Sequence, residues 1–367
     1  MIIKSHMKDY EAIIEPDFTF FTDLKKKQNA LWVADRIVYE LYKETLFVGI
    51  DESRLILLDA IEEKKTMETV LAICDKFTTL SAKRNALLIS IGGGIIQDVT
   101  GFVANILYRG IQWIFVPTTL LACCDSCIGS KTSLNYKQFK NLLGTFYPPD
   151  KLHICADFFK TLTDLDFKSG LGEVVKFNVM SGMPGVDRIE QKIDLLLARD
   201  TDTLNQFVER SLLFKKPYIE NDEFDQGERI YLNFAHTFGH AIESVSRFRV
   251  PHGSAVAIGM LIANRISVSR KMFDAEVEKR IEAVCLKILT LHLDPAYFRL
   301  EGIIQAIRND KKQISESLTA VLLYGDMDIM ISHDVSEEEM ECAVSYVEQV
   351  LCGNLLSIAE ESVNIVK

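Results

Sequence analysis

The 367-residue sequence contains no uninterrupted apolar run of membrane-spanning length, no recognisable signal peptide, no internal repeat and no low-complexity tract. An integral membrane protein and a repeat array are therefore not expected. Positive charge is also short, with 41 Lys and Arg against 52 Asp and Glu and a net charge of -11. Nucleic acid is bound mainly through Lys and Arg, so it is not an expected partner, although a local basic pocket for a small anion remains compatible with the total. Eight cysteines in a chain this long do not make a disulfide framework. Cys123, Cys124 and Cys127 come nearest to a cluster, but adjacent thiols before the polar DSCIGSK segment read as small packing residues rather than a metal site. A reducing cytoplasm is the expected location. Two familiar signatures are missing as well, the GxGxxG dinucleotide fingerprint and HExxH.

What is present divides in two, as a chain of this length usually does. Residues 1–158 alternate strands and helices. NALLISIGGG, from Asn85, is an apolar strand running into a triple glycine, and DVTGFVANILY after it has helical spacing that breaks near Arg109–Gly110. IQWIFVPTT, from Ile111, reads as a second buried strand, and LFVGID, from Leu46, as an earlier one. This is the pattern of a parallel sheet covered by helices, an α/β nucleotide-binding domain. Residues 159–367 read as a mainly α-helical domain. Amphipathic stretches cover 171–182, 203–216, 232–247, 253–269, 274–289 and 335–349, and VLLYG with MDIMIS suggests one short late hairpin.

Histidine is scarce at seven, yet His236, His240 and His252 fall within seventeen residues. His236 and His240 lie one turn apart on a helix, which suits a divalent metal. A carboxylate could complete the set, but spacing alone does not select Glu173 over Glu243. The plain alternative is that the histidines cap or line helices. GGGIIQD lets a phosphate approach the backbone at Gly93 and Gly94 near a helix N-terminus, with Asp98 placed for a sugar hydroxyl. Alone it would equally be a tight strand–helix turn. Thr118 and Thr119 follow the next strand, so both loops should meet at the sheet's C-terminal edge and favour a nucleotide. DSCIGSKTSLN puts Asp125, Lys131 and Asn135 in a loop or helix start, and FKNLLG adds Lys140 and Asn141. Arg229, Asn233, His236 and His240 are spaced by four, three and four and share one helical stripe if the helix begins early enough. Lys176 stands three after Glu173, Lys215 ends SLLFK, and Lys312 ends NDKK. A small, highly anionic, polyhydroxylated substrate fits this set, since Arg suits a carboxylate bidentately and Lys a phosphate.

The segments GGGIIQDVTGFVANILYRG, VPTTLLACCDSCIGSKTSLN, FKNLLGTFYPP, GLGEVVKF, GERIYLNFAHTFGHAIE and HGSAVAIGM resemble 3-dehydroquinate synthase and the wider sugar-phosphate cyclase family, in consistent order from about residue 60 to 315. The resemblance implies an NAD-binding α/β domain, a helical domain and a site in the cleft between them. It implies zinc, with cobalt as an alternative, on Glu173, His236 and His252. It implies NAD contacts at Glu62, Lys65, Gly93, Gly94, Asp98, Thr118, Thr119 and Thr161. Phosphate would be held by Lys131, Asn141, Lys312 and His240, with His240 also the acid/base candidate. Lys176 and Lys215 would bind hydroxyl and carboxylate oxygens, Arg229 the carboxylate, Asp125 would orient hydroxyls or a lysine, and Lys140 and Asn233 would add contacts. A homodimer is implied, with Arg109 reaching the neighbouring subunit's substrate.

The family's chemistry oxidises a hydroxyl transiently with NAD, eliminates phosphate, returns the hydride and closes the ring in an aldol step. The expected substrate is 3-deoxy-D-arabino-heptulosonate 7-phosphate. Alternatives are a related cyclase acting on sedoheptulose 7-phosphate or glucose 6-phosphate, an NAD-dependent polyol dehydrogenase, and a non-catalytic nucleotide- or partner-binding member. The chain departs from the family pattern in several places. Ser130 and Ala235 replace glycines, and a glycine is missing before Glu62.

Overall fold

Short β-branched and leucine-rich runs form the strands of this computed structural model, which describes residues 1–80, 84–137, 139–308 and 318–364, with side chains through Gly353. The chain divides into two units, one made of Met1–Thr163 with Arg199–Arg229, the other of Asp164–Ala198 with Ile230–Lys367.

The first unit is built on a sheet of β1 (Ile2–Ile3), β2 (Tyr10–Glu15), β3 (Ala30–Asp35), β4 (Leu55–Leu58), β5 (Leu87–Gly92), β6 (Gln112–Pro117) and β9 (Lys151–Cys155). A separate antiparallel hairpin joins β7 (Lys131–Tyr136) to β8 (Phe139–Phe146). The sheet order is β1-β2-β9-β6-β5-β3-β4, and all neighbours are parallel except β1 and β2. Its central strands are buried on both faces, which is why LLISIG and WIFVP read as unbroken apolar runs. The helix Gly94–Ile106 ends where Tyr108, Arg109 and Gly110 turn left-handed at φ +52°, +63° and +115°.

Two expectations for this unit are corrected. LFVGID is a turn rather than a strand: Leu46 N–H and Phe47 N–H both donate to Tyr42 O, and Gly49 takes φ +83°. Its apolar side chains Leu46 and Phe47 are buried as anchors, which imitates a strand's composition. The segment from Lys131 to Asn135 is a strand of the β7–β8 hairpin, not a loop or helix start.

One stretch from the second half of the chain belongs to the first unit. Arg199 Nη1 donates to the carbonyls of Phe159 and Leu162 at 2.8 and 2.9 Å, and the helix Thr201–Asn221 begins two residues later. Linear order therefore does not separate the two units at a single point.

The second unit is helical, with Asp164–Met180, Met183–Leu197, His236–Val245, His252–Ser269, Ala275–Ile288, Leu300–Arg308 and Glu337–Asn364, plus the expected late hairpin of β10 (Leu318–Tyr324) and β11 (Asp328–Val335). His252–Ser269 is apolar almost all round and runs through the middle, buried from Gly253 to Asn264. Among the described residues no helix is long and apolar enough to cross a membrane.

Candidate active site

Three helices of the second unit meet without side chains between them. A Cβ on Gly172 would lie 1.9 Å from the carbonyl oxygen of Gly253, and one on Gly253 would lie 1.7 Å from that of Ser169. Only hydrogen fits there, so the helix Asp164–Met180 touches the start of His252–Ser269 backbone to backbone. Gly172 precedes Glu173 and Gly253 follows His252. The close approach therefore sets the carboxylate against the imidazole. His236, the first residue of its helix, arrives beside them.

Glu173 Oε1 lies 3.4 Å from His236 Nε2 and 3.2 Å from His252 Nε2. The carboxylate is wholly buried, and neither oxygen makes a hydrogen bond of good geometry, although Lys176 Nζ pairs with Oε2 at 2.6 Å. The far nitrogens of both histidines are held. His236 Nδ1 faces Phe234 O at 3.0 Å and His252 Nδ1 faces Glu243 Oε2 at 3.0 Å. A carbonyl can only accept, so His236 carries its hydrogen on Nδ1 and turns the Nε2 lone pair toward Glu173. Acceptors on the outer nitrogens are the usual means of orienting metal-binding histidines. Glu173, His236 and His252 thus present three ligand atoms within 4.8 Å of one another. His240, Glu243 and His252 form a second such group. Glu173 lies on the shared side of His236 and His252, and Glu243 on the outer side of His252.

Electrostatics follow from this burial. Desolvation works to raise Glu173, but the Lys176 ammonium beside it outweighs burial and holds the carboxyl well below its usual range. Burial, then the Lys176 charge, push His236 down to about 4. Burial acts the same way on His252, but the carboxylates of Glu173 and Glu243, facing its two ring nitrogens, lift it to about 10. Lys176 is itself buried, with Nζ also donating to Leu232 O at 3.2 Å. The rings of His240 and His236 are 5.3 Å apart, so the third histidine adjoins the cluster.

In the first unit, β5 and β6 end side by side, with Gly92 opposite Pro117. Thr118 N–H donates to Gly92 O at 3.0 Å, and a Cβ on Gly93 would lie 3.0 Å from Thr119 Cγ2. The two loops therefore meet at the sheet's C-terminal edge, as expected. The helix Gly94–Ile106 starts there with no side-chain cap on its N-terminus. Asp98, one turn in, pairs with Lys65 at 2.5 Å, and Lys65 Nζ donates to Asn141 Oδ1 at 2.6 Å. Burial raises the Asp98 carboxyl despite Lys65. Asn135 Nδ2 reaches Glu62 Oε1 at 2.8 Å and Asn135 Oδ1 accepts from Asn141 N–H at 2.9 Å. Lys140 Nζ lies 3.8 Å from Glu62. Glu62, Lys65 and Asp98 thus belong to one network with Lys140 and Asn141. Thr161 ends the turn after β9, with its hydroxyl 3.0 Å from that of Tyr42. Lys215 Nζ pairs with Asp125 Oδ1 at 2.7 Å, and Lys131 Nζ with Asp225 Oδ2 at 2.6 Å.

Models of the N-terminal and C-terminal domains of 3-dehydroquinate synthase match residues 55–169 and 170–313. The chain is 35% identical to the 3-dehydroquinate synthase of Dictyoglomus turgidum across 86% of its own length and 88% of that relative's. It belongs to the 3-dehydroquinate synthase family. The fold is also that of 2-epi-5-epi-valiolone synthase from Streptomyces hygroscopicus, solved with NAD+ and Zn2+ bound (TM-score 0.81, 24% identity, 94% of this chain and 99% of that one). A 2-deoxy-scyllo-inosose synthase complexed with carbaglucose-6-phosphate, NAD+ and Co2+ matches similarly (TM-score 0.82, 21% identity, 94% and 98%).

For this family member the single polar stripe is a correction. The helix starts at His236 because Ala235 sits left-handed at φ +69°, and 228–233 is a tighter 3-10 turn. His236 and His240 share a helix face, but Arg229 and Asn233 do not continue it. Arg229 is buried in the first unit, where Nη1 donates to Glu223 O at 2.6 Å and Nη2 to Gly129 O at 2.9 Å. Asn233 ends the turn, half-buried. Arg109 is exposed. Lys312 lies outside the described residues. Sequence reasoning missed Asp225, the partner of Lys131, and Glu223. Both stand in the acidic stretch NDEFD just before Arg229, which was the available signal.

Proposed function

We propose that this chain converts 3-deoxy-D-arabino-heptulosonate 7-phosphate to 3-dehydroquinate and phosphate. The observation that carries the reading is the buried Glu173 facing two outward-anchored histidines, in a chain similar over most of its length to a named 3-dehydroquinate synthase. A divalent cation fits those donors, since two imidazole nitrogens and a carboxylate suit zinc or cobalt and leave a position for substrate. NAD fits the glycine cradle at Gly93 and Gly94 beside an uncapped helix N-terminus. When bound, the metal supplies polarisation of the hydroxyl to be oxidised, and NAD takes and returns the hydride.

The chain's own residues do the rest. Glu173, His236 and His252 hold the metal, with Glu243 and Phe234 O fixing the two rings. Asp98, Thr118, Thr119, Glu62, Lys65 and Thr161 position NAD. Lys131, Asn141, Lys312 and His240 bind the phosphate, and Lys140 and Asn233 add polar contacts. His240 exchanges a proton with substrate through its imidazole. Lys176 binds a substrate oxygen, and Lys215, locked to Asp125, binds another. A homodimer supplies Arg109 to the neighbouring subunit. The eight free thiols, five of them buried, suit a reducing cytoplasm.

One observation favours a second reading, a cyclase whose substrate has no carboxylate. Two nitrogens of the Arg229 guanidinium are already engaged by main-chain carbonyls. The test is phosphate release from zinc-loaded protein with catalytic NAD. 3-Deoxy-D-arabino-heptulosonate 7-phosphate is set beside sedoheptulose 7-phosphate and glucose 6-phosphate, with the carbocycle identified by mass and NMR. Turnover of the carboxylated substrate without net NADH supports the proposal. Preference for either other sugar phosphate moves the assignment to the second reading, and net NADH formation to a dehydrogenase. His236→Ala should lower turnover roughly a thousandfold, the equivalent of several kcal/mol of lost charge stabilisation. Its Tm should move by no more than about 5 °C. A folded, fully active variant would sink the metal assignment.

A further inference from the structure

The turn before Lys131 is strained and held from several sides. Gly129 and Ser130 take φ +105° and +64° in succession. A Cβ on Gly129 would lie 2.3 Å from Arg229 Nη2, so glycine is needed there, while Ser130 is a side-chain-bearing residue in a left-handed conformation. Its hydroxyl donates to Glu223 Oε1 at 2.7 Å and its carbonyl accepts from Tyr147 N–H at 2.7 Å. Gly129 N–H donates to Tyr10 Oη at 2.9 Å.

Glu223 is only 2% exposed, and its carboxylate is surrounded by donors. Besides Ser130 it accepts from the Ser5 hydroxyl at 2.7 Å and from His6 N–H at 2.7 Å, with His6 Nδ1 at 3.2 Å. Its main-chain carbonyl takes the Arg229 guanidinium. The turn carrying it is rigid in its own right, because the Asp222 carboxylate accepts from the N–H groups of Gln226, Gly227 and Arg229 at 2.8, 2.7 and 3.0 Å. Residues 222–229 therefore grip the segment 129–131 three times: Glu223 at Ser130, Arg229 at Gly129 and Asp225 at Lys131.

We propose that Glu223 is a positioning residue for Lys131, acting through the Ser130 hydroxyl, with Ser5 and His6 completing its donor set so that the first residues of the chain brace the substrate loop. The inference rests on the proposed role of Lys131 at the substrate phosphate. A bond to a buried carboxylate is strong enough to govern loop geometry. Its loss should be read in substrate binding more than in the chemical step.

The experiment compares Ser130→Ala, Glu223→Gln, their double variant and Ser5→Ala, each zinc-loaded with NAD. Steady-state kinetics with 3-deoxy-D-arabino-heptulosonate 7-phosphate are measured together with amide hydrogen exchange over 128–131. Ser130→Ala should raise KM about tenfold with kcat within about twofold, and speed exchange of the segment about tenfold. Ser5→Ala should act in the same direction by about threefold. Adding Ser130→Ala to Glu223→Gln should change KM by less than about twofold, because the same bond is already weakened. A fall in Tm with KM and exchange unchanged would overturn the proposal, as would additive effects in the double variant. Should Glu223→Gln fail to fold, the Ser130 and Ser5 variants still decide. If the wild-type protein turns over no sugar phosphate, the functional reading fails while the exchange data still judge the brace.

Discussion

The two units place polar groups by opposite means. In the second, Glu173 and His252 are neighbours because the glycines beside them let two helix backbones touch, with a would-be Cβ on Gly172 1.9 Å from a carbonyl. In the first, Lys131 and Lys215 are placed by side-chain bonds to Asp225 and Asp125, and the first of these pairs joins two segments with left-handed backbone, at Ser130 and at Asp225. The first means fixes a position by excluded volume and tolerates no added atom. The second fixes it by hydrogen bonds of modest net worth and should yield by degrees. A ligand set needing sub-ångström precision suits the former, and a loop that meets a substrate suits the latter.

The sharpest way to break this contrast is Gly172→Ala. In an ordinary helix interior that change stabilises by about 1 kcal/mol. Here the added methyl overlaps the Gly253 carbonyl, and backbone cannot rotate away as a side chain can. The clash should win, costing at least about 3 kcal/mol by overpacking and separating Glu173 from His252. Thermal unfolding with and without zinc measures it. A Tm that stays level or rises would show that the helices are not held at contact distance.

The same contrast explains what could be read from the sequence. The parallel sheet, its glycine turn at the β5 end and the late hairpin were legible, because apolar runs and periodicity report burial directly. The histidine cluster was legible because i, i+4 spacing survives on a helix. The stripe through Arg229 and Asn233 was not, because it depended on a helix continuing through Ala235. Alanine is the best helix former, so nothing in its propensity announces a left-handed residue. Glu223 and Asp225 escaped because their partners, Ser130 and Lys131, lie more than ninety positions away. LFVGID misled because buried apolar anchors in a turn share a strand's composition.

A smaller effect is expected from Glu243→Gln, which sharpens the comparison by weakening an orienting bond without touching the backbone contact. Glutamine keeps an acceptor for His252 Nδ1 but loses the charge. Zinc affinity, read by chelator competition, should fall about tenfold, and Glu243→Ala should approach about a hundredfold. His240→Ala should leave zinc affinity unchanged within about twofold. Equal losses at His240 and Glu243 would instead make those two residues and His252 the ligand set, the second group within reach.

The smallest effect tests a left-handed residue of the second unit, Ala235, which is buried just before His236. Replacing it with glycine removes a conformational cost of about 1–2 kcal/mol. Against that stand the loss of a buried methyl, about 0.8 kcal/mol, and the greater freedom of the unfolded glycine chain, about 0.5–1 kcal/mol. These terms nearly cancel, so Ala235→Gly should move Tm by less than about 2 °C. Ala235→Val separates conformation from volume, because a β-branched residue is a genuine outlier at positive φ and the Ala235 carbonyl already packs against the position of Gly259. It should cost about 3 kcal/mol, combining strain with overpacking. It should also weaken zinc binding, since His236 takes its direction from this residue. A glycine variant less stable than the valine variant would mean that the alanine methyl, rather than the backbone turn, sets the start of the helix.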